Sequence, residues 1–246
     1  MKVYIGCSGF YYKDWKGKFY PPDIPLKNWL EYYADQFKSV EINSSFYRIP
    51  AKKDLISWAD RTPDQFRFVF KGYQYITHRK KLNVDRDLVQ SLHDFYEGLF
   101  LVKYKLAGIL WQFPSNFPFD LKRIEKFASH LTKEIPHFFE FRKPNFYSKE
   151  MIDFLESLGL GFCSVSAPGL EFDHIFKSNN WVYLRLHGKF KWYNYLYGLE
   201  ELKSYQEQIQ KANPNIAFVF FNNDIGANAP INARQMIETF NPRKII

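Results

Sequence analysis

The sequence predicts a single (β/α)8 barrel, the fold in which eight parallel strands alternate with helices. The chain has 246 residues, close to the usual length of this fold. Eight short apolar runs rich in Val, Ile, Phe and Tyr recur about 31 residues apart, as one strand, one helix and two loops require. Helical patterns separate most of these runs, so strands and helices alternate along the chain.

The eight apolar runs predict the strands of the barrel. They cover residues 3–7, 39–42, 66–71, 106–111, 137–141, 161–165, 181–186 and 217–221. Apolar residues three or four positions apart predict the helices, the first of them over 26–37. The others cover 51–61, 88–99, 122–131, 149–158, 199–212 and 231–240. Only the segment between the sixth and seventh runs lacks a helical pattern, and we expect an irregular unit there.

Composition predicts one domain in a reducing compartment. No Gly/Ser linker, block of charge or low-complexity stretch divides residues 1–246, and the hydrophobic share of 46% excludes a disordered chain. Both cysteines lie in apolar runs, and no run approaches the roughly 20 residues of a membrane span. The start, MKVYIGCSGFYY, reaches glycine, serine and charge too soon for a secretory signal. We therefore expect a cytoplasmic protein without a membrane partner, whose net charge of +8 favours anionic partners.

Polar side chains stand at the exit of every predicted strand. In strand order they are Ser8; Glu41 and Asn43; Lys71, Thr77 and His78; Gln112; Glu140 and Arg142; Ser164 and Ser166; Arg185 and His187; and Asn222, Asn223 and Asp224. The carboxyl ends of the strands form one mouth in this fold, and the active site is built there. Eight polar exits around one mouth predict a shared site.

Seven sequence blocks, which span nearly the whole chain, carry a family resemblance. They are IGCSGFYYKDWKGKFYP, YADQFKSVEINSSFYRIP, RTPDQFRFVFKG with ITH, LAGILWQFPSNF, FEFRKPNFY, VYLRLHGK, and FVFFNN with NAPINA. Together they resemble the signatures of the YecE-like family, domain of unknown function 72. The resemblance implies a TIM barrel and no established reaction. It implies these site residues: Ser8, Glu41, Asn43, Lys71, Thr77, His78, Gln112, Glu140, Arg142, Arg185, His187, Asn222, Asn223 and Asn232.

One residue departs from the family pattern. Ser166, in SVSAP, stands where many relatives are expected to carry an acidic residue. If that carboxylate contributes to the site, this chain lacks it, and an altered activity is expected.

The residue types at the mouth predict acid–base chemistry on an anion. The predicted catalytic residues are Glu41, Glu140, His187 and His78. The predicted substrate-binding residues are Ser8, Asn43, Lys71, Gln112, Arg142, Arg185, Trp192, Tyr195, Asn222, Asn223 and Asn232. Two carboxylates on different strands can divide acid and base roles, imidazoles transfer protons near neutral pH, and basic side chains hold anions. We therefore expect a hydrolase-like or lyase-like enzyme that acts on an anionic, phosphate-bearing substrate.

The phosphate is suggested by the segment after the eighth run. This segment, 222–233, places Gly226 and several amides ahead of a helix, where barrels often bind phosphate. An ordinary turn and helix cap would have the same composition.

Two other functions fit the same residues. The loop 188–198 interleaves Lys189 and Lys191 with aromatic side chains, Trp192 and Tyr195 among them. This composition suits stacking on bases beside a phosphate backbone, and it equally suits an aromatic lid that covers the mouth. The alternatives are a nucleic-acid-binding protein without strong sequence preference and a non-catalytic sensor of a small ligand.

Arg185 and His187 lie two residues apart on the seventh run and therefore point to the same face. They meet either a ligand or a neighbouring glutamate, because Glu140 can pair with Arg142 or Arg185 to balance charge inside the barrel. A ligand would leave the charge of Arg185 partly unneeded by the fold, and we expect an anion to face the pair.

No cofactor is predicted. The sequence has no C-x-x-C, H-E-x-x-H, Walker or G-x-G-x-x-G motif. Glu41, His78, Glu140 and His187 are ligand types that would serve one weakly held divalent ion. Two histidines at the mouth, His78 and His187, are too few for a three-zinc cluster like that of endonuclease IV, another barrel protein.

Overall fold

Nine strands form one sheet in the residues that the computed structural model describes, 1–170 and 174–240. They are β1 (Lys2–Cys7), β2 (Ser39–Ile42), β3 (Arg67–Lys71), β4 (Leu106–Gln112), β5 (His137–Glu140), β6 (Gly161–Ser166), β7 (Lys177–Ser178), β8 (Trp181–Leu186) and β9 (Ile216–Phe221). Eight of them pair in parallel, in the order β1, β9, β8, β6, β5, β4, β3, β2. The predicted (β/α)8 barrel is confirmed, with one strand at each apolar run.

The one domain predicted over 1–246 includes 171–173 and 241–246, which lie outside the described residues. In the part that is described, the strands and helices follow one another without a break into a second unit. No helix of the described ranges is both long and apolar enough to cross a membrane.

Helices follow the strands around the outside of the barrel. They are α1 (Trp29–Gln36), α2 (Ser44–Tyr47), α3 (Lys52–Asp60), α4 (Arg86–Phe100), α5 (Leu121–Ala128), α6 (Lys149–Ser157), α7 (Leu199–Ala212) and α8 (Asn228–Thr239). Three of them begin at a side-chain cap, because Asp85, Asp120 and Ser148 each accept a hydrogen bond from a backbone N–H three residues on. The short α2, which no apolar periodicity predicted, turns the chain directly after β2.

The segment between β6 and β8 holds β7 where the other units hold a helix. β7 pairs with β8 in the antiparallel direction. The Ser178 hydroxyl accepts a hydrogen bond from the Phe162 N–H at 2.6 Å, which ties β7 to β6 as well. The expected irregular unit is confirmed for 167–170 and 174–180, where no helix occurs.

The barrel closes between β1 and β2 through a side chain. No backbone ladder joins the described residues of these two strands. The Tyr33 hydroxyl, from α1, accepts a hydrogen bond from the Cys7 N–H at 2.7 Å and donates one to the Ser39 carbonyl at 3.0 Å. It thereby satisfies one buried backbone group on each strand. Gly6 permits this close approach, because a Cβ there would lie 2.1 Å from the Ser39 carbonyl oxygen.

Alternate residues of each strand fill the barrel interior. On β8, Tyr183 and Arg185 are both fully buried, and Arg185 lies one step nearer the carboxyl end. The Tyr183 ring packs against Phe138 and Phe218, with centroids 4.6 Å and 5.6 Å away. This aromatic layer fills the lower barrel, so the polar side chains lie above it, toward the mouth.

Replacing Tyr33 by Phe keeps the ring and removes the hydroxyl that bridges β1 and β2. We expect the free energy of unfolding to fall by about 1–3 kcal/mol, because a buried N–H and a buried carbonyl both lose their partner. Urea denaturation measures this change. Tyr104→Phe is the control, since Tyr104 is 62% exposed and its change should stay within about 0.5 kcal/mol. Equal stabilities of the two variants would contradict the bridging role.

Candidate active site at the barrel mouth

Arg185 lies at the centre of a buried ion cluster. Its Nη2 donates to Glu41 Oε1 at 2.5 Å and its Nη1 to Glu140 Oε2 at 2.5 Å. All three side chains are 0% exposed, and charges buried this deeply are costly unless they are paired. The direct partners of Arg185 are therefore two glutamates, so the charge of Arg185 is needed inside the barrel.

Tyr183 completes the cluster from below. Its hydroxyl donates to Glu41 Oε2 at 2.6 Å, so both oxygens of that carboxylate are engaged. Burial and the adjacent Glu41 raise the pKa of Tyr183 well above its usual value, which keeps the hydroxyl a donor. The strand-exit pattern did not predict this residue, because a tyrosine inside an apolar run resembles any other core aromatic.

Arg142 links the ion cluster to the opening of the barrel. Its Nη2 lies 2.6 Å from Glu140 Oε1, and its side chain keeps 13% exposure. The guanidinium carbon lies 4.6 Å from the centroid of the Trp192 ring, a cation–π distance. Burial alone would raise the pKa of Glu140, but Arg142 and Arg185 hold it well below its usual range. Glu140 is therefore an anion throughout the neutral pH range.

His187 is a neutral imidazole above the ion cluster. Its Nε2 lies 3.3 Å from Arg142 Nη2 and 3.3 Å from Arg185 Nη1, while Nδ1 lies 2.8 Å from Asn222 Nδ2. Burial, reinforced by the two guanidinium groups, lowers the pKa of His187 well below its usual value. An uncharged ring can accept a hydrogen bond from a guanidinium, which an imidazolium would repel.

Lys71, the last residue of β3, has a half-buried amine. Its Nζ lies 4.1 Å from the centroid of the Phe46 ring, and the His78 imidazole meets the same ring edge-on at 4.8 Å between centroids. Within 1–170 and 174–240, the Lys71 Nζ has no hydrogen bond or ion pair. Burial, followed in effect by the nearby Arg185, lowers the pKa of Lys71 to about 7. The amine is thus about half unprotonated at neutral pH.

His78 stands beside this amine as a second neutral base. The Thr77 hydroxyl lies 2.9 Å from its Nδ1 and orients the ring. Burial, followed by the charge of Lys71, lowers the pKa of His78 to about 4. Its half-buried ring is therefore uncharged at neutral pH.

Ser8, Asn43 and Asn222 form the side of the mouth that follows β1, β2 and β9. Asn43 Nδ2 donates to the Ser8 carbonyl at 2.9 Å and lies 3.5 Å from Asn222 Oδ1. The Ser8 hydroxyl lies 3.4 Å from Arg185 Nη2. Asn43 Oδ1 is buried and has no hydrogen-bond partner among the described residues. On β4, Gln112 donates to the carbonyl that follows it at 2.6 Å.

Asn223 and Asn232 hold the loop 188–198 in place. Asn223 Nδ2 donates to the Tyr195 carbonyl at 2.7 Å and to Asn232 Oδ1 at 2.9 Å. Asn232 also exchanges two hydrogen bonds with the Tyr197 backbone, at 3.0 Å and 2.9 Å. These two predicted substrate-binding residues therefore contact protein backbone, and the Tyr195 hydroxyl donates to a carboxylate of α7 at 3.0 Å.

The loop 188–198 faces two ways. Trp192 turns inward, where its ring covers Arg142 and lies 5.4 Å from the His187 ring. Phe190 turns outward and is 70% exposed. The loop is thus a partial lid over the mouth with two exposed aromatic side chains, Phe190 and Tyr193.

Asp224, three residues after the end of β9, is a titratable group at the predicted strand exit to which the sequence assigned no catalytic or binding role. Burial raises the pKa of Asp224 to about 8, so its carboxyl group is mostly protonated at neutral pH. The adjacent Tyr12 donates from its hydroxyl to the Ser8 carbonyl at 2.7 Å. In the segment predicted to bind phosphate, the Gly226 N–H donates to Asp14 at 3.0 Å. The NND run at the strand exit was the available signal for Asp224.

Ser166 lies on the outer face of β6, toward α7. Its hydroxyl accepts a hydrogen bond from the Tyr197 hydroxyl at 2.9 Å. Its neighbour Val165 faces the barrel interior, in register with Arg185. The position of Ser166, where an acidic residue was expected in relatives, therefore lies in the helix layer, away from the ion cluster.

The fold and this mouth define a class of protein: a (β/α)8 barrel with a Glu–Arg–Glu cluster below an opening that carries a lysine and two neutral histidines. No three His, Cys, Asp or Glu side chains in the described ranges are placed to hold a metal ion. The family model for "Protein of unknown function DUF72" matches residues 4–245, and the chain belongs to this family. The family resemblance of the sequence blocks is confirmed.

Two bacterial proteins illustrate the family. UPF0759 protein YunF of Bacillus subtilis (strain 168) is 26% identical over an alignment of 267 residues. The alignment covers 96% of this chain and 94% of that protein. UPF0759 protein YecE of Escherichia coli (strain K12) is 31% identical over 121 residues, which cover 49% of this chain and 43% of that protein.

Solved structures agree with the fold. The crystal structure of a DUF72 family protein (TM1631) from Thermotoga maritima MSB8 has a TM-score of 0.86 and 30% identity, with 97% of this chain and 98% of that chain covered. D-psicose 3-epimerase has a TM-score of 0.57 at 11% identity, with 88% of this chain and 92% of that chain covered. The second similarity shows the barrel fold alone.

Arg185→Met removes the cation that neutralises two buried carboxylates. We expect a loss of about 3–5 kcal/mol in the free energy of unfolding, because both glutamates remain buried without their partner. Adding Glu41→Gln and Glu140→Gln to this variant should recover part of the loss, since the stranded charges are then removed. Urea denaturation of the three proteins decides the matter. Wild-type stability in Arg185→Met would show that the cluster does not serve the fold.

Proposed function

We propose that the protein is an acid–base enzyme of the hydrolase or lyase type, which acts at the barrel mouth on a small anionic, phosphate-bearing substrate. One observation carries the proposal. Lys71 is a half-buried amine with a pKa of about 7, and no acceptor within the described ranges engages its Nζ. A titratable group perturbed toward neutral pH at the mouth of a barrel favours a catalytic role.

Lys71 and His78 are the proton-transfer groups in this proposal. A base works best when its pKa lies near the working pH, which favours Lys71 over Glu140, whose pKa is held well below its usual range. His78 contacts the same Phe46 ring as Lys71, so the two bases share one side of the mouth. Glu41 and Glu140 then contribute by holding Arg185, and they set the electrostatic field under the substrate.

Arg142 is the proposed anchor for the anionic group. Its guanidinium is fixed between Glu140 and Trp192, and its side chain is still partly exposed. It borders a cavity of about 370 Å³ that Gln112 and Tyr193 also line. A cavity of this size suits a small molecule. Arginine binds phosphate and carboxylate oxygens through paired N–H groups, so a fixed guanidinium at the wall favours an anionic ligand.

Sulfate binding tests the charge of Lys71, because sulfate keeps its two charges across the neutral range. The groups facing this amine are Arg185, Glu140, Arg142 and Glu41, with His78 beside it. Sulfate favours the protonated amine, which is lost as the pH rises through about 7. We expect affinity to fall about tenfold between roughly pH 6 and pH 8 at constant ionic strength, measured by calorimetry.

Two variants complete this test. Lys71→Met should bind sulfate with no pH dependence in this range, while Lys149→Met, a change at an exposed lysine paired with Asp153, should behave as wild type. Phosphorus NMR of the protein with a pool of phosphorylated metabolites then tests turnover, with EDTA present because the proposed chemistry uses side chains alone. New resonances that vanish in Lys71→Met support the enzyme. Sulfate binding without turnover of any phosphorylated compound would favour the ligand sensor.

Nucleic-acid binding is a second candidate, favoured by the outward Phe190 and the exposed Lys191 on the loop 188–198. An exposed ring between basic side chains can stack on a base beside the backbone. We expect weak binding of single-stranded oligonucleotides, independent of sequence, with an affinity that falls steeply with salt. Lys191→Ala should reduce the salt slope by about one unit, measured by fluorescence anisotropy. An affinity indifferent to ionic strength would contradict this candidate.

A further inference from the structure

We propose that Lys71 is a covalent site: its Nζ forms an imine with the carbonyl carbon of an aldehyde or ketone that also carries an anionic group. This inference rests on the proposed function, because it names the substrate class that the same mouth would take. It goes further in making the amine a nucleophile as well as a base.

The surroundings of Lys71 leave its amine free to react. The two carboxylates near it are already neutralised by other cations: Glu41 by Arg185, and Glu140 by Arg185 and Arg142. No ion pair or hydrogen bond reaches its Nζ from the part of the chain that the structure describes. Burial and two nearby guanidinium groups therefore favour the uncharged, nucleophilic amine over the charged form that the face of the Phe46 ring attracts.

Lys105, a buried lysine, has a structural role in this fold and serves as a comparison for Lys71. Lys105 is 2% exposed, and its Nζ donates to the Ala59 carbonyl at 2.5 Å, to the Thr62 carbonyl at 2.6 Å and to the Thr62 hydroxyl at 3.2 Å. Its ammonium protons are thus satisfied by oxygens at the end of α3. Lys71 has no such set of acceptors in the described ranges, so the fold does not need its charge.

The chemistry balances with groups at the mouth and solvent. The neutral amine adds to the carbonyl carbon, a C–N bond forms, and the carbonyl electron pair moves to oxygen. One proton passes from nitrogen to that oxygen, with the neutral His78 ring placed against the same Phe46 ring to relay it. A further proton from solvent lets the oxygen leave as water, and the protonated imine remains. No oxidant or reductant is required.

The anionic group of the substrate has a place across the mouth. Arg142 and Arg185 lie close enough to Lys71 to act on its charge, and Arg142 is the one with an exposed side chain. A phosphate or carboxylate on Arg142 would therefore bring a nearby carbonyl carbon toward the Lys71 Nζ. A carbonyl compound without an anionic group would lack this anchor.

Pyridoxal 5′-phosphate and 5-deoxypyridoxal form a matched pair of probes, since neither can close into a cyclic hemiacetal and only the first carries a phosphate. The protein is incubated briefly with each at neutral pH, the imines are reduced with borohydride, and the modified lysines are mapped by mass spectrometry. We expect about a hundredfold more phosphate-bearing adduct on Lys71 than on an exposed lysine such as Lys149, because far more of its amine is unprotonated. 5-Deoxypyridoxal, which lacks the anionic group, should label Lys71 much less.

Three variants sharpen the result, each checked for its melting temperature. Lys71→Arg should remove the adduct at position 71 and leave only the background adducts on exposed lysines. Lys149→Arg should leave the labelling of Lys71 unchanged. Arg142→Gln should weaken labelling at low concentrations of the phosphate-bearing probe and restore it at saturation.

The outcomes separate this inference from the proposed function. Labelling spread evenly over exposed lysines, in a protein that still binds sulfate with the expected pH dependence, overturns the imine and keeps the anion site. Equal labelling of Lys71 by both probes keeps the imine and removes the anion anchor. Selective labelling of Lys71 by the phosphate-bearing probe supports both.

Discussion

The pairing of Arg185 with Glu41 and Glu140 is the interaction on which the interior of this barrel depends. Three charges from β2, β5 and β8 meet where no solvent reaches them, so each is tolerable only because the others are present. The aromatic layer around Tyr183 supports them from below. A barrel filled entirely by apolar side chains would avoid this cost, which indicates that the charged layer is kept for what lies above it.

What lies above it is a mouth in which carboxylates are satisfied and cations are in excess. Arg142 takes the remaining oxygen of Glu140, and His187 stays neutral among guanidinium groups. Lys71 is left without a counter-charge in the described part of the chain. Burial, reinforced by Arg185, thus brings the pKa of Lys71 close to neutral pH, although the charge of Arg185 is itself paired with two glutamates.

Sequence patterns predicted the barrel well, because strand and helix periodicity is local and repeats eight times. They also brought the right strand exits together, since parallel strands end on one side. Partners across the barrel could not be predicted in this way. Whether Glu140 faces Arg185 or solvent depends on the closure of the sheet, and the same closure leaves Lys71 and Lys105, two similar lysines, in opposite environments. Asn223 and Asn232, although polar and near the mouth, support a loop backbone.

The Tyr33 hydroxyl joins two levels of the architecture. It belongs to α1, in the outer layer, yet it satisfies backbone groups of β1 and β2 in the inner one. Undocking of that helix and opening of the cylinder are therefore one event and not two. β1 and β2 lie at opposite ends of the order of sheet pairing, yet the Tyr33 hydroxyl connects them. The first and second βα units must consequently unfold together, as one cooperative unit.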